Sequence, residues 1–307
     1  MNKLQLLHLC NFFTHPFVLP KTLRMKLHLL PVFLFTSLFS WSQSFSGSLS
    51  GGYQFGVGKQ NLEHHSVSEF IDPYSPWPWQ QVDLSLGQGS TTNVTLGYDL
   101  NQSYGFTLTG SYLFGSEFSS KTSNTLTVER TLSASMLRIN PSFRMNVGQN
   151  RFRTYAEIGF ILGIGKINFN LKNSTVDATI LEYSYVYDGG LSYGASARFG
   201  VEYQVSKRFR VFGEFQFISQ AYAPTKGYLT KYIFNNEDLT ESFQQNASAN
   251  VVFVESIQLE PSVSPSPNEP QVRAKHSYPF HSYGLNVGVK YILWDKKKEE
   301  GSFKVVP

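Results

Sequence analysis

The sequence contains a single cysteine, Cys10, in a segment that we expect to be removed from the mature protein. One cysteine cannot form an intramolecular disulfide or a Cys-based metal site, so both are excluded. The bulky Leu9 before it also argues against a lipoprotein, which needs a small residue there. We therefore predict no redox chemistry, no metal and no cofactor.

Charge is scarce as well: 16% of residues are charged, whereas 15% are aromatic and 24 are glycine. The formal net charge of +4 disappears when the four cations before the expected cleavage site are subtracted, which are Lys3, Lys21, Arg24 and Lys26. Composition therefore gives no support to nucleic-acid binding. Low charge with many Tyr, Phe, Gly and Ser is typical of chains that face lipid on one side and a polar interior on the other.

Long hydrophobic runs are absent after residue 42, where no stretch approaches 18 apolar residues. Met25-Lys26 and the apolar run 27–41, which Pro31 interrupts, predict a signal peptide over 1–42, with Met25 favoured over Met1 as the true start. An exported, apolar chain without a spanning helix has to satisfy its backbone polar groups between the strands of a closed barrel.

Alternation of apolar and polar residues predicts the strands of that barrel. In one segment, Val94 and Leu96 alternate with Asn93 and Thr95. Near Gly165-Lys166 the alternation changes phase, which indicates either a β-bulge or the point where the strand leaves the membrane. The eight predicted strands are 44–58, 92–101, 104–115, 132–147, 154–169, 190–205, 209–219 and 280–293.

Apart from Lys166 at the change of phase, the charged residues within these strands all fall on the polar set. A Lys or Arg on the lipid face near the midplane costs about 2 to 4 kcal/mol, so this sorting assigns the polar set to the lumen. A soluble antiparallel sandwich would place its charges on the opposite face. Because side chains fill an eight-stranded barrel, we predict a paired, plugged lumen network of Asp99, Arg138, Arg144, Glu157, Arg198, Glu202, Arg210, Glu214 and Lys290.

The connections alternate in length, with short turns and long loops. Short turns inside the cell envelope and long external loops are the pattern of bacterial outer-membrane barrels, and predict external loops at 59–91, 116–131, 170–189 and 220–279. In the last of these, 228–234 and 250–259 form a predicted hairpin around Asn235-Asn236. It either extends above the membrane or adds a spanning pair that makes ten strands; Lys231 and Glu255 favour the first alternative. The barrel would span 43–294, and 295–307 would be a periplasmic tail.

The last predicted strand carries a sharper motif, in which Asn286, Gly288, Tyr291 and Leu293 match the polar, glycine, aromatic and apolar positions of a β-signal. With this motif the chain resembles the small outer-membrane β-barrel superfamily of the OmpA, OmpX and OmpW kind. The resemblance implies a closed antiparallel transmembrane barrel in the outer membrane of a Gram-negative bacterium, inserted by the barrel-assembly machinery. Many relatives stop at the final aromatic residue, whereas this chain continues past Trp294.

For function, the sequence favours a non-enzymatic barrel whose external loops contact surface molecules, partner proteins or glycans. Aromatic residues in the first loop, Tyr74, Trp77 and Trp79, would anchor that loop at the membrane interface or, alternatively, bind sugars. An OmpW-like conduit for small apolar molecules is a second hypothesis, but it requires an apolar lumen.

A lipid-modifying enzyme is the third hypothesis. His64 and Ser66 have the His-x-Ser spacing that resembles lipid A deacylases, although they lie in a polar loop. His276 and His281 border the last strand, but no acidic residue is placed in the sequence to orient either ring. We therefore expect no catalytic residues.

Overall fold

The computed structural model describes residues 44–58, 85–123, 127–148, 151–175, 179–256 and 268–295. Apart from a short helix α1 (Thr240–Gln244) and a 3₁₀ turn (Ala247–Ala249), its regular elements are strands. In chain order these are β1 (Ser44–Gly56), β2 (Gly89–Asp99), β3 (Tyr104–Gly115), β4 (Phe118–Ser123), β5 (Thr127–Val147), β6 (Phe152–Ser174), β7 (Thr179–Asp188), β8 (Ser192–Gln204), β9 (Phe209–Tyr222), β10 (Lys226–Phe234), β11 (Glu237–Asp238), β12 (Asn250–Val254), β13 (Gln271–Ala274), β14 (Tyr278–Pro279) and β15 (Ser282–Asp295).

Eight of these strands form a closed antiparallel barrel in the order β1, β2, β3, β5, β6, β8, β9, β15. The barrel closes because β15 pairs along β1, from Ser44 with Asp295 to Gly56 with Ser282. Both chain ends of the barrel therefore lie at the same rim. Each of the eight predicted segments overlaps one of these strands, so the predicted fold class is confirmed with eight strands, not ten.

The two longest barrel strands, β5 and β6, change character along their length. In the lower part of β5, Ile139 and Phe143 face outward and are exposed, while Arg144 faces inward and is buried. Beyond Leu137 the chemistry is reversed on both faces: Met136 is buried inside, and Ser135 lies on the outside. The lower part suits a bilayer, and the upper part suits water.

On β6 the same reversal occurs between Ile164, which is exposed, and Ile167, which is completely buried. The β5–β6 register runs without a shift through this level, so the predicted change of phase is not a bulge. It marks the position where the strand passes from an apolar to a polar surrounding. Lys166, directly opposite Ser135, is the first exposed polar side chain above the apolar outer band of β6.

Above the reversal, the sheet continues into a part that we call the outer extension. It comprises the upper halves of β5 and β6 together with β4, β7 and β10 to β14. Three of the four predicted external loops thus contain strands of their own among the described residues. β7 links β6 to β10, and β12 joins β10 to the parallel edge strand β13.

The predicted hairpin turn is present and the two predicted strands pair antiparallel, but the second strand does not follow the turn directly. Asn235 and Asn236 both have positive φ, 50° and 64°, as a two-residue type I′ turn requires. The turn leads into the two-residue β11, and α1 follows. Residues 250–254 form β12, which pairs antiparallel with the first residues of β10, at the end of that strand away from the turn.

The outer extension has its own apolar core, which we call the outer core. Three of its members are the next inward-facing residues above the polar lumen on their strands: Leu113 on β3, Met136 on β5 and Tyr222 on β9, each no more than 1% exposed. Phe280, which is also fully buried, packs edge-on against Tyr222. An apolar layer therefore lies directly above the polar interior of the barrel.

Candidate functional site

The polar interior contains a network of ion pairs, and Glu202 on β8 lies at its centre. Its carboxylate contacts Arg144 of β5 and lies 3.0 Å from Arg210 of β9 and 3.2 Å from Lys290 of β15. Glu202 is 1% exposed. Three cations from three strands therefore converge on one buried carboxylate, and the pairs hold four strands together.

Glu157 extends the same network across the barrel. Its two oxygens lie 3.3 Å from Arg144 and 3.4 Å from Arg198. Arg198 also donates a 2.9 Å hydrogen bond to Thr109 on the far side of the lumen. Together these contacts link β3, β5, β6 and β8, strands on different sides of the barrel.

The remaining two lumen carboxylates have smaller sets of partners. Glu214 accepts hydrogen bonds from the Tyr155 hydroxyl at 2.7 Å and from the Asn286 amide at 3.0 Å. Asp99, near the rim with the chain ends, lies 3.5 Å from Arg153. Arg153 was missing from the predicted network because the sequence assigned residues 148–151 to a turn and started the next strand at 154. Its inward position on β6 is the signal that could have identified it.

Arg138 lies above this network and has a different environment. It is 1% exposed, and its Nε and Nη2 atoms have no hydrogen-bond partner among the described residues. The structure thus places all nine predicted lumen residues on the inner face, joins eight of them in ion pairs or hydrogen bonds, and leaves Arg138 apart.

The motif of the last strand lies in the barrel wall. Asn286 faces the lumen, whereas Leu293 is exposed on the outer face. Tyr291 packs against Phe209 of β9 with ring centroids 5.0 Å apart. A Cβ atom at Gly288 would come within 2.6 Å of the Phe212 ring, so this position has no space for a side chain.

In the outer extension, aromatic side chains surround Arg273 of β13. The guanidinium donates a 2.9 Å hydrogen bond to the Tyr187 hydroxyl and lies 5.2 Å from the centre of the Tyr185 ring. Burial raises the pKa of Tyr187 to about 12, although the positive charge of Arg273 opposes that shift. Burial raises the pKa of Tyr185 and of Tyr183 as well.

The outer face of the extension carries an exposed apolar patch, formed by Tyr228 of β10, Val252 of β12 and Val272 of β13. Val252 and Val272 are register partners, so the patch is continuous across β12 and β13. β13 ends the described sheet on this side. Arg273 faces the other side of β13, toward Tyr187, and Lys226, the register partner of Val252, is an exposed cation beside the patch.

The described histidines do not form a catalytic arrangement. His281 Nδ1 lies 3.4 Å from Ser219 Oγ, but it also accepts the backbone N–H of Gln220 at 3.2 Å, which occupies its lone pair. His276 packs edge-on against Tyr278. His64, Ser66, Tyr74, Trp77 and Trp79 lie outside the described residues. No cluster of metal-ligating side chains occurs within the part of the chain that the structure describes.

None of the helices in the described ranges is long and apolar enough to cross a membrane. Strand pairing and the apolar outer band show a barrel of the outer-membrane type, since each wall strand pairs with a neighbouring strand on both sides. This architecture places the protein in an outer membrane.

Comparisons with known proteins add little to this assignment. No family model matches the chain, and no curated protein matches it significantly. Among solved structures it is similar to Neisserial surface protein A, at 11% identity and a TM-score of 0.35, over 81% of this chain and 97% of that one. It is also similar to Ail of Yersinia pestis, at 11% identity, a TM-score of 0.26 and coverages of 82% and 98%. A third similar structure is CarO of Acinetobacter baumannii, at 12% identity and a TM-score of 0.28, over 82% of this chain and 98% of that one.

Proposed function

We propose that the protein is a non-enzymatic outer-membrane barrel with a closed lumen, which presents its outer extension to molecules outside the cell. The main support for this proposal is that two barriers, one polar and one apolar, lie one above the other inside the barrel. Arg144, Glu157 and Glu202 connect the walls across the lumen, and the outer core lies above them. A solute would have to break both layers to pass.

Conductance in planar lipid bilayers tests the closed lumen. The purified barrel is expected to give no steady open level, and a Glu202→Gln variant to give brief openings because three cations lose a common partner. Glu237→Gln, on the exposed β11, is the matched control and should behave like the wild type. A steady open level in the wild-type barrel would refute the closed lumen.

The outer extension is the proposed interaction surface, because the patch of Tyr228, Val252 and Val272 is exposed at the edge of the sheet. Exposed apolar side chains at a sheet edge favour a protein or glycan ligand with apolar groups. Loop residues at 59–84 belong to the same predicted external surface and extend the proposal to the aromatic residues there.

Photo-crosslinking on intact cells tests this surface. A benzophenone amino acid at Val272 is expected to give discrete protein or glycan adducts. The same amino acid at Val287, which is 70% exposed on the lipid-facing side of β15, is the control and should give none. If both positions gave the same adducts, or Val272 gave none, the proposed surface would be wrong.

The alternative of an apolar-molecule conduit is not supported by the inner face, which is lined with ion pairs. The enzyme alternative depends on His64 and Ser66. Substitution of both residues is expected to leave the lipid A of the host membrane unchanged in mass spectra, and an altered acylation pattern would revive the enzyme hypothesis.

We also propose that β15 presents the assembly signal to the barrel-assembly machinery. Tyr291→Ala should lower the amount of folded barrel in the outer membrane while the purified variant still refolds in detergent. Tyr283→Ala, an outward aromatic residue on the same strand, is the control. Equal membrane levels for both variants would mean that Tyr291 serves packing alone.

A further inference from the structure

Arg138 is a buried cation with no carboxylate partner among the residues that the structure describes. The other inward cations, Arg144, Arg153, Arg198, Arg210 and Lys290, each have a carboxylate oxygen within 3.5 Å. Arginine stays protonated in proteins, so Arg138 cannot avoid its charge by losing a proton. A buried, unpaired charge is strongly unfavourable and calls for a compensating group.

Gln220 of β9 is a second unsatisfied group at the same level. Its side chain is 1% exposed, and neither its Nε2 nor its Oε1 has a partner in the described residues. Its backbone is fully engaged, because the N–H bonds to His281 and the carbonyl accepts the Phe280 N–H at 2.9 Å. The backbone thus fixes the amide so that it projects into the barrel.

Gly163 of β6 is a neighbour of both residues. It is the direct register partner of Arg138. A Cβ atom at this position would come 2.9 Å from Gln220 Nε2 and 3.1 Å from Met136 Sδ. The absence of a side chain at Gly163 therefore leaves room for the amide of Gln220 next to the backbone position opposite Arg138, and a bulkier residue would displace that amide.

The surroundings of this pair favour a charged ligand over an open, hydrated cavity. Met136 and Tyr222, the outer-core residues above Arg138 and Gln220, are each 1% exposed. In such a low-dielectric environment, the attraction between a guanidinium and an anion is much stronger than in water. A guanidinium and an amide N–H₂ are both donors, which is the complement that an anion needs.

We propose that Arg138 and Gln220 form a binding site for one small monovalent anion such as chloride, enclosed between the ion network and the outer core. The anion is monovalent because one guanidinium charge is left over, and small because both side chains are almost completely buried. Since both ends of this space are closed, the anion enters while the barrel folds and stays in the folded protein.

Crystallography with bromide tests the site directly, because bromide replaces chloride and has a measurable anomalous signal. The protein is refolded from urea in bromide and crystallised. One anomalous peak within hydrogen-bond distance of both Arg138 and Gln220 is expected, and none is expected there for Arg138→Gln. A wild-type map with no anomalous peak at Arg138 would show that water alone satisfies the guanidinium and would overturn the proposal.

A stability measurement tests the same site in solution. Wild-type barrel refolded in chloride should have a higher urea midpoint than barrel refolded in gluconate at equal ionic strength, because gluconate is too large to be enclosed. Gln220→Leu should reduce this difference. Arg210→Gln, whose parent side chain already has Glu202 as a partner, should keep it. Equal wild-type midpoints in the two salts would refute the site, even if Arg138→Gln did not fold.

Discussion

Arg144 on β5 and Glu202 on β8 form an ion pair although β6 lies between their strands. The contact crosses the lumen instead of following the wall. Glu202 joins three cations, and Arg144 joins two carboxylates. The stability of the barrel should therefore depend on these two residues far more than on any exposed ion pair.

Glu202→Gln should lower the stability of the barrel by about 3 to 5 kcal/mol, because it leaves buried cations without their shared carboxylate. Urea unfolding in detergent, followed by the gel shift between boiled and unboiled samples, measures the effect. The double variant Glu202→Gln with Lys290→Met removes one of the stranded cations and should recover part of the loss. A single variant with the wild-type midpoint would contradict the central role of Glu202.

Two lysine substitutions on the outer face of β5 test the chemical reversal along that strand. Phe143→Lys places a charge in the apolar band and should cost about 2 to 4 kcal/mol in a lipid bilayer. Ser133→Lys, ten residues away on the same face, should be close to neutral. Refolding into lipid vesicles under urea gives both values, and equal costs would mean that the band does not end near Leu137.

Phe280→Ala should loosen the outer core without opening the barrel wall. Replacement of a fully buried Phe by Ala costs about 3 to 5 kcal/mol. Hydrogen exchange should increase in β7, β10 and β12 and stay slow in β1, β2 and β3. Phe234→Ala, at a side chain that is 45% exposed, is the control. Faster exchange throughout the barrel would show that the two parts unfold as one unit.

The outer core should also be sensitive to alkaline pH. The pKa of Tyr187 in the folded chain is about 12, above the value of about 10 for an unfolded tyrosine. Its neutral form therefore stabilises the extension fully below pH 10, and this contribution is lost as the pH rises toward 12. Protease cleavage of the extension should increase over that window, and less so in Tyr187→Phe. Cleavage that is independent of pH from 9 to 12 would contradict this.

Much of the barrel could be predicted because lipid constrains its sequence so strongly. A strand such as β3 has to alternate along its whole length, and its predicted and observed limits coincide at 104–115. In the outer extension that constraint ends. There the inner face becomes apolar and the outer face polar, as at Ile167 and Lys166. A search for strands with an apolar outer face therefore assigned these segments to loops.

The ion-pair partners of the lumen residues could not be predicted from the sequence, for a different reason. Alternation assigns Arg138 and Glu157 to the lumen, but the partners of each depend on how the strands are staggered around the barrel. Arg198 and Arg138 look equivalent in the sequence. Only the register places one beside Glu157 and the other beside Gly163.

The reversal on β5 and β6 also has a consequence for the order of assembly. These strands have 21 and 23 residues, about 70 Å at roughly 3.3 Å per residue, more than twice the thickness of the hydrocarbon layer. Their distal halves have a hydrophilic exterior, so they cannot cross the bilayer as a folded body. We therefore expect these segments to cross before the extension folds, so that the aromatic core around Tyr187 forms on the far side. Once this core has packed, it would keep β5 and β6 from moving back through the membrane.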